Sequence, residues 1–334
     1  MNNKPLLSAV LLLTASALHA QTSSVNMSGL KAAPAASMNS SSTDLAPAKK
    51  APGEDKADQL ITNRNLRSLN GSLSTWSFAS TWNYQGGDIN KPVGSSRPNV
   101  TGSQDVALVQ NLSGTVGINY RLTDTDRLTL GIGLQMASPF SDTEDGKFTE
   151  KGRREFRKTQ GELDASNPQL TYRRVMKPFG VQSVLTVQST YYTQDAMVDR
   201  GLESKNEAHV NALYDFGGSR FSAGLVVQGA VFTHSKDDQA LQAGQAAYEF
   251  YALPITEFEI SDLMNWRAVY RYNWYQQNRA QKSSEWTTLD PTISTGIGFT
   301  ITRDVFLYPN IQFNPEDVRA DRTNIGMSAN INVF

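Results

Sequence analysis

The chain has 334 residues, with 31 Lys and Arg against 32 Asp and Glu, and it contains no cysteine. The lack of cysteine excludes disulfides, thiolate nucleophiles and cysteine metal sites. The near-zero net charge, with both signs interspersed, argues against a nucleic-acid partner.

The first twenty residues are predicted to be a signal peptide. Lys4 precedes an apolar run from Leu6 to Leu13, and small residues then lead to a possible cleavage site after Ala20. Ala15-Ser16-Ala17 offers an alternative cleavage site. The run is too short to span a bilayer, so export is favoured over a membrane anchor.

Residues 21–70 are predicted to be a disordered periplasmic tail. As far as about Asp58 they are rich in Ser, Ala, Pro and Lys, a composition that buries too little apolar surface to fold. Leu60, Ile61, Arg64 and Arg67 then follow at helix-like spacing. A simple lead-in to the first strand is favoured here, and a short helix inside a barrel mouth is the alternative.

Residues 71–334 are predicted to form an all-β domain. Apolar and polar residues alternate along successive segments, which places them on opposite faces of strands. The segments number about twelve and are joined by turns such as 123–126, which reads Thr-Asp-Thr-Asp. Pro254 interrupts one segment and predicts a β-bulge.

The connections between these segments alternate strictly between short and long. Short connections fall near Asp124, Pro178, Gly217, Asp262 and Arg303. The long connections are predicted at about 86–104, 141–164, 196–206, 235–246, 279–286 and 314–321. The pattern is typical of an up-and-down barrel, although alternation by itself also permits a soluble sandwich.

The last segment, 324–334, alternates to the end of the chain and finishes on Phe334. With the signal peptide and the alternating connections, it resembles the closing strand of a Gram-negative outer-membrane β-barrel. The resemblance implies a transmembrane antiparallel barrel in the cell outer membrane, in contact with membrane lipid and with both termini periplasmic. It also implies that the assembly machinery recognises Phe334.

Phe334 departs from the usual pattern of that class, because it shares its face with polar Asn332 and Asn330. Either a bulge near the end restores the register or recognition rests mainly on the terminal aromatic residue.

Enzymatic activity is not expected, although some barrels of this class are lipases or proteases. Such enzymes mostly need a histidine base, and after the signal peptide only His209 and His234 remain. Both are predicted to face the lumen and to lie far apart. Asp142, Glu144 and Asp145 belong to a densely charged segment typical of a solvated loop. No cofactor or metal is expected.

The inward face is predicted to be a polar wall that carries positive charge. The predicted pore-lining residues are Arg173, Arg267, Arg271, Asp290, Asn119, Gln135, Gln188, Gln228 and Asn273. Rings of arginine favour anions in pores, so a porin-like channel for small polar or anionic solutes is the leading hypothesis. A barrel plugged by its own side chains is one alternative. A structural barrel that binds partners through its loops is another.

Overall fold

Twelve antiparallel strands form a closed barrel in the computed structural model, which describes residues 55–100, 108–141, 163–235, 246–277 and 286–333. The barrel strands are β1 Trp76–Asp88, β2 Asn111–Arg121, β3 Asp126–Ala137, β4 Leu163–Met176, β5 Gln182–Tyr191, β6 Leu202–Asp215, β7 Phe221–His234, β8 Ala246–Ser261, β9 Met264–Gln277, β10 Thr292–Thr302, β11 Val305–Phe313 and β12 Asn324–Val333.

Each strand pairs with its neighbours in sequence, and the ring closes between β12 and β1. Phe78 lies opposite Val333, and the pairing runs on to Asp88 opposite Asn324. Closure leaves no free sheet edge, which is what a barrel in lipid requires. The predicted all-β barrel of about twelve strands is confirmed.

Alternation along the strands gives the barrel an apolar outside and a mostly polar inside. Trp76, Ile118 and Leu130 point outward and are more than half exposed. Neighbours that point inward, such as Asn119 and Gln228, are buried. In the described part of the chain, no helix has both the length and the apolar character needed to cross a membrane.

The two ends of the barrel differ in their connections. At one end, called the short-turn end, strands are joined through 122–125, 177–181, 216–220, 262–263 and 303–304. The opposite, long-loop end carries a short ladder between Ser96–Arg97 and Leu108–Val109. It also carries a helical turn, Asp195–Val198, and the strand Trp286–Thr288, which pairs with β9. Most of the predicted charged segment 141–164 lies outside the described residues.

The bulge predicted at Pro254 is wrong, and the described part of β12 does not contain the bulge that was one alternative for the chain end. The ladder from β8 to β7 runs unbroken through Pro254, and the register to β9 is the same on both sides of it. Pro254 points outward and has no N–H to donate to the ladder, yet the strand keeps its register. In β12 the register is continuous from Gly326 to Val333. Phe334 itself lies outside the described residues.

Over residues 55–70 the structure corrects the expected tail and agrees with the helical alternative: the residues form two short helices, α1 Lys56–Leu60 and α2 Arg64–Asn70. Asp55 caps α1 by accepting from the backbone N–H of Ala57, and Asn63 caps α2 by accepting from that of Leu66. Gly71 ends α2 with φ 95°, a conformation that favours glycine. Residues 55–71 are called the plug segment below.

Candidate solute passage

The plug segment lies inside the barrel at the short-turn end, where an apolar patch on the wall receives it. Ile61 and Leu66 are 1% and 2% exposed, and Leu60 and Leu69 pack beside them. The patch on the wall consists of inward-facing residues from six consecutive strands: Val175, Val184, Leu213, Val226, Tyr251, Leu253, Ile255 and Val269. Burial of one such Ile or Leu side chain contributes about 1.5–3 kcal/mol.

Polar contacts fix the plug segment on both sides of the lumen. The backbone N–H groups of Thr62 and Asn63 donate to Oε1 of Gln182 on β5, at 2.6 and 2.8 Å. Nδ2 of Asn330, on β12, donates to the Ser68 hydroxyl at 2.9 Å, and Nδ2 of Asn332 donates to the Ser68 carbonyl at 2.9 Å. The segment is therefore held across the mouth by the wall itself.

Two arginines from the wall bind carboxylates of the plug segment. Arg121, at the end of β2, forms an ion pair with Asp55. Arg303, in the turn between β10 and β11, contacts both oxygens of Asp58 at 2.6 and 2.7 Å. Such a two-point contact adds directional precision to the charge attraction.

The Asp55 carboxyl is held in its charged form. Burial raises the pKa of Asp55. Hydrogen bonds from Arg121 and from the Ala57 N–H, together with the charges of Arg121 and Arg303, lower it by more than burial raises it. The net effect places the pKa of Asp55 below its ordinary value. The ion pair with Arg121 therefore persists at neutral pH.

Above the plug segment, several charges on the wall neutralise one another. Lys205 on β6 lies 2.6 Å from Glu207 and 3.5 Å from Glu249. Arg267 on β9 lies 3.0 Å from Glu257, which also accepts from Asn63 of the plug segment at 2.8 Å. Buried charges are tolerable when they are paired in this way.

Three other arginines of the wall have no carboxylate partner among the described residues. Arg127 is 1% exposed, and neither Nη1 nor Nη2 has a hydrogen-bond partner. Arg173, its direct cross-strand neighbour, makes a 3.4 Å contact with the Thr129 hydroxyl. Arg271 faces inward on β9, and its Nε has no partner. These residues leave positive charge in the lumen.

A polar cavity of about 120 Å³ opens in the half of the barrel near the long loops. It has room for several water molecules or one small solute. Its lining includes six amide side chains, together with Lys205 and Glu207. The amide residues are Asn111, Gln135, Asn167, Gln169, Gln188 and Gln194. Oδ1 of Asn111 and the Ser113 hydroxyl are buried and have no partner within the described chain.

The predicted pore-lining residues take different positions on the wall. Gln135 and Gln188 line the cavity. Gln228 donates to Glu207 at 2.9 Å, and Asn119 accepts from the Thr129 hydroxyl. Asn273 is buried on β9. Asp290 precedes β10, in the connection from β9, whereas the sequence pattern placed it on a strand.

Several residues of the lumen were missed or misplaced at the sequence level. Arg121 and Arg127, which are not among the predicted pore-lining residues, point inward, and Arg127 is fully buried. Glu207, Glu249 and Glu257 supply buried negative charge, whereas Asp290 is the one acid among the predicted pore-lining residues. The alternation contained part of this information. The missing part was which inward residues lie next to each other.

The histidines are not arranged as a catalytic pair. His209 faces the lumen on β6, opposite Gln228, and its Nδ1 has no hydrogen-bond partner. His234 lies at the far end of β7, opposite Leu202. A catalytic site with a serine nucleophile needs its histidine base within hydrogen-bond reach of that serine. Among the described residues, no hydrogen bond joins His209 to a serine.

Comparison with known proteins gives matches at the level of structure only. No protein-family model and no curated protein matches the chain. An outer membrane channel from Pseudomonas putida F1 is 13% identical, with a TM-score of 0.50 over 79% of this chain and 97% of that one. The NanC porin is 8% identical, with a TM-score of 0.41 over 77% of this chain and 98% of that one. Salmonella typhi OmpF is also 8% identical, with a TM-score of 0.34 over 79% of this chain and 98% of that one. At such low identity the likeness concerns the fold, and that fold is the outer-membrane β-barrel.

Proposed function

We propose that the chain is a channel of the outer membrane that lets small polar and anionic solutes diffuse through its lumen. In this proposal the short-turn end and both termini face the periplasm, the usual orientation of such barrels. The P. putida structure that shares the fold carries the name of a channel, which supports the proposal. Recognition of Phe334 by the assembly machinery is part of the same proposal.

The unpaired arginines of the lumen are the observation that carries the proposal. Arg127, Arg173 and Arg271 add positive charge to a wall of amides and hydroxyls, without a carboxylate partner in the described chain. A barrel whose interior served only as packing would gain stability by pairing or replacing these charges. Positive charge along a wet wall instead favours the entry of anions.

The plug segment adds a constriction to this passage. It occupies the short-turn mouth through the apolar patch and the contacts with Gln182, Arg121 and Arg303. We propose that solutes cross when this segment shifts, and that the cavity near the long loops is the outer vestibule. Movement of this 17-residue segment (55–71) opens the barrel without breaking the hydrogen-bonded ladders between its strands.

A liposome-swelling assay tests the function. Proteoliposomes with the full chain should swell in isosmotic solutions of small sugars and faster still with small organic anions of similar size. Liposomes that contain the heat-denatured chain serve as the control. Swelling no faster than this control, with the barrel intact by circular dichroism, would contradict the channel.

A further inference from the structure

The polar cavity near the long loops is bounded by strands and by the connection between β5 and β6. Residues of β2 to β6 line it, and Tyr192, Gln194 and Met197 are contributed by the connection, 192–201. Met197 is buried, and Nε2 of Gln194 donates to Asp164 at 2.9 Å. The cavity volume of about 120 Å³ corresponds to about four water molecules at their share of the liquid.

A β-bulge at Asn167 holds this connection against the strands. The ladder between β3 and β4 shifts register between Ile132 and Gly133, which leaves Asn167 as the extra residue on β4. Its φ of 56° lies in the left-handed region, which asparagine tolerates better than most residues. Oδ1 of Asn167 accepts from the backbone N–H groups of Thr193 and Gln194, at 3.0 and 3.1 Å. The bulge therefore gives the cavity a fixed shape, a use that bulges often have beside binding sites.

The amide of Gln135 is available to a solute in the cavity, and the amide of Gln188 beside it is held in place. Gln135 is half-buried on β3, and no hydrogen bond joins its side chain to another described residue. Nε2 of Gln188 donates to Gln169 at 2.9 Å and to the Thr190 hydroxyl at 3.1 Å. Its Oε1 accepts from the Thr171 hydroxyl at 3.1 Å.

The charges in the lining are already paired with each other. Lys205 and Glu207 are the charged residues among those that line the cavity, and they lie 2.6 Å apart. An anion would have to compete with Glu207 for the ammonium group. The other polar groups are amides and hydroxyls, which both donate and accept hydrogen bonds. Such a lining matches a neutral solute whose own groups also do both.

We propose that this cavity is a binding site for small neutral polyols of about the size of glycerol. A hydroxyl group can reproduce the hydrogen bonds of the water molecule that it displaces, so a polyol enters without leaving the amides unpaired. Gln135 binds one hydroxyl through its free amide. The connection 192–201 and the bulge at Asn167 keep the cavity in shape before the solute arrives.

The cavity is the vestibule of the proposed channel, so in naming a solute class the inference rests on that function. Binding and passage are nevertheless separable. Glycerol binding by a chain that gives no swelling of liposomes would retain the site and reject the channel. Swelling in glycerol without saturable binding would retain the channel and reject the site.

Titration of glycerol into the full chain in detergent, followed by saturation-transfer NMR of the glycerol protons, tests the site. Saturable binding to the wild-type chain is expected. Gln135→Leu removes no internal hydrogen bond of the described chain, so it should fold, and it should weaken binding roughly fivefold through one lost hydrogen bond. Asn206→Leu removes an exposed amide from the outer face of β6 and is the matched control, with unchanged binding expected.

Two compounds with the same three-carbon chain test the class of solute. Propan-1-ol lacks two of the three hydroxyls and should bind roughly tenfold more weakly than glycerol. Glycerate carries a negative charge and should bind no more tightly than glycerol, because Lys205 is already paired. No saturable glycerol binding, an unchanged affinity in Gln135→Leu, equal binding of propan-1-ol or tighter binding of glycerate would each overturn the site.

Discussion

At the scale of single residues, the arginines of the lumen fall into two groups with opposite expected behaviour. Arg267 is paired with Glu257 at 3.0 Å, and its guanidinium also lies 5.8 Å from the ring of Tyr308. Arg271, four residues further along β9 and on the same face, has no such carboxylate among the described residues. Arg267 therefore stabilises the structure, and Arg271 supplies unpaired positive charge to the passage.

Substitution of these two residues should separate stability from selectivity. Arg267→Gln leaves Glu257 buried without its cation and should lower the free energy of unfolding by about 3 kcal/mol. Arg271→Gln should leave that free energy nearly unchanged and shift the reversal potential toward cations. Denaturant unfolding in detergent and bilayer recordings measure the two quantities. The reverse assignment of the two effects would contradict the grouping of the arginines.

Asp55 gives the plug segment a pH dependence. Its pKa is lowered in the folded chain, so its contribution to seating is complete above the ordinary pKa of about 3.9 and is lost as pH falls through the folded value. We expect conductance to rise when the side facing the plug segment is acidified below about pH 4. In Asp55→Asn this rise should be weaker, because the pair with Arg121 is already broken. An identical pH response in that variant would exclude Asp55 as the cause.

At the scale of elements, the strands follow directly from the sequence, whereas the plug segment was only the less favoured alternative. Alternation and turn residues fix each strand, because one face must meet lipid. The helices α1 and α2 are short and would be unstable alone, so their structure depends on the wall that receives them. A sequence sign was nevertheless present. Val184 lies between inward-facing Gln182 and Thr186, and Leu213 lies between Asn211 and Asp215.

A disulfide between the plug segment and the wall should close the passage. The side chains of Ser68 and Asn330 are in contact at 2.9 Å, and the chain has no other cysteine to interfere. The double variant Ser68→Cys/Asn330→Cys should conduct less when oxidised and recover on reduction. Each single variant is a control that should not respond to reductant. Equal conductance of the oxidised and reduced double variant would show that the plug segment does not gate the passage.

At the scale of the whole molecule, a barrel of this size is intermediate between filled and open forms. The polar lumen was predictable from the inward parity of the strands. Its division into a plugged mouth, paired charges and a vestibule was not, because parity gives the face of a residue but neither its depth nor its partner. Arg127 shows this best. The alternation places it on the inward face but does not indicate that it is only 1% exposed.

The reversal potential of the full chain in a planar bilayer, under a salt gradient, tests the central claim most directly. The free arginine charge of the lumen predicts discrete conductance steps and a reversal potential displaced toward the anion equilibrium potential, with the displacement reduced in Arg271→Gln. A displacement toward the cation potential, or no discrete conductance from an intact barrel at either neutral or acidic pH, would contradict an anion-favouring channel.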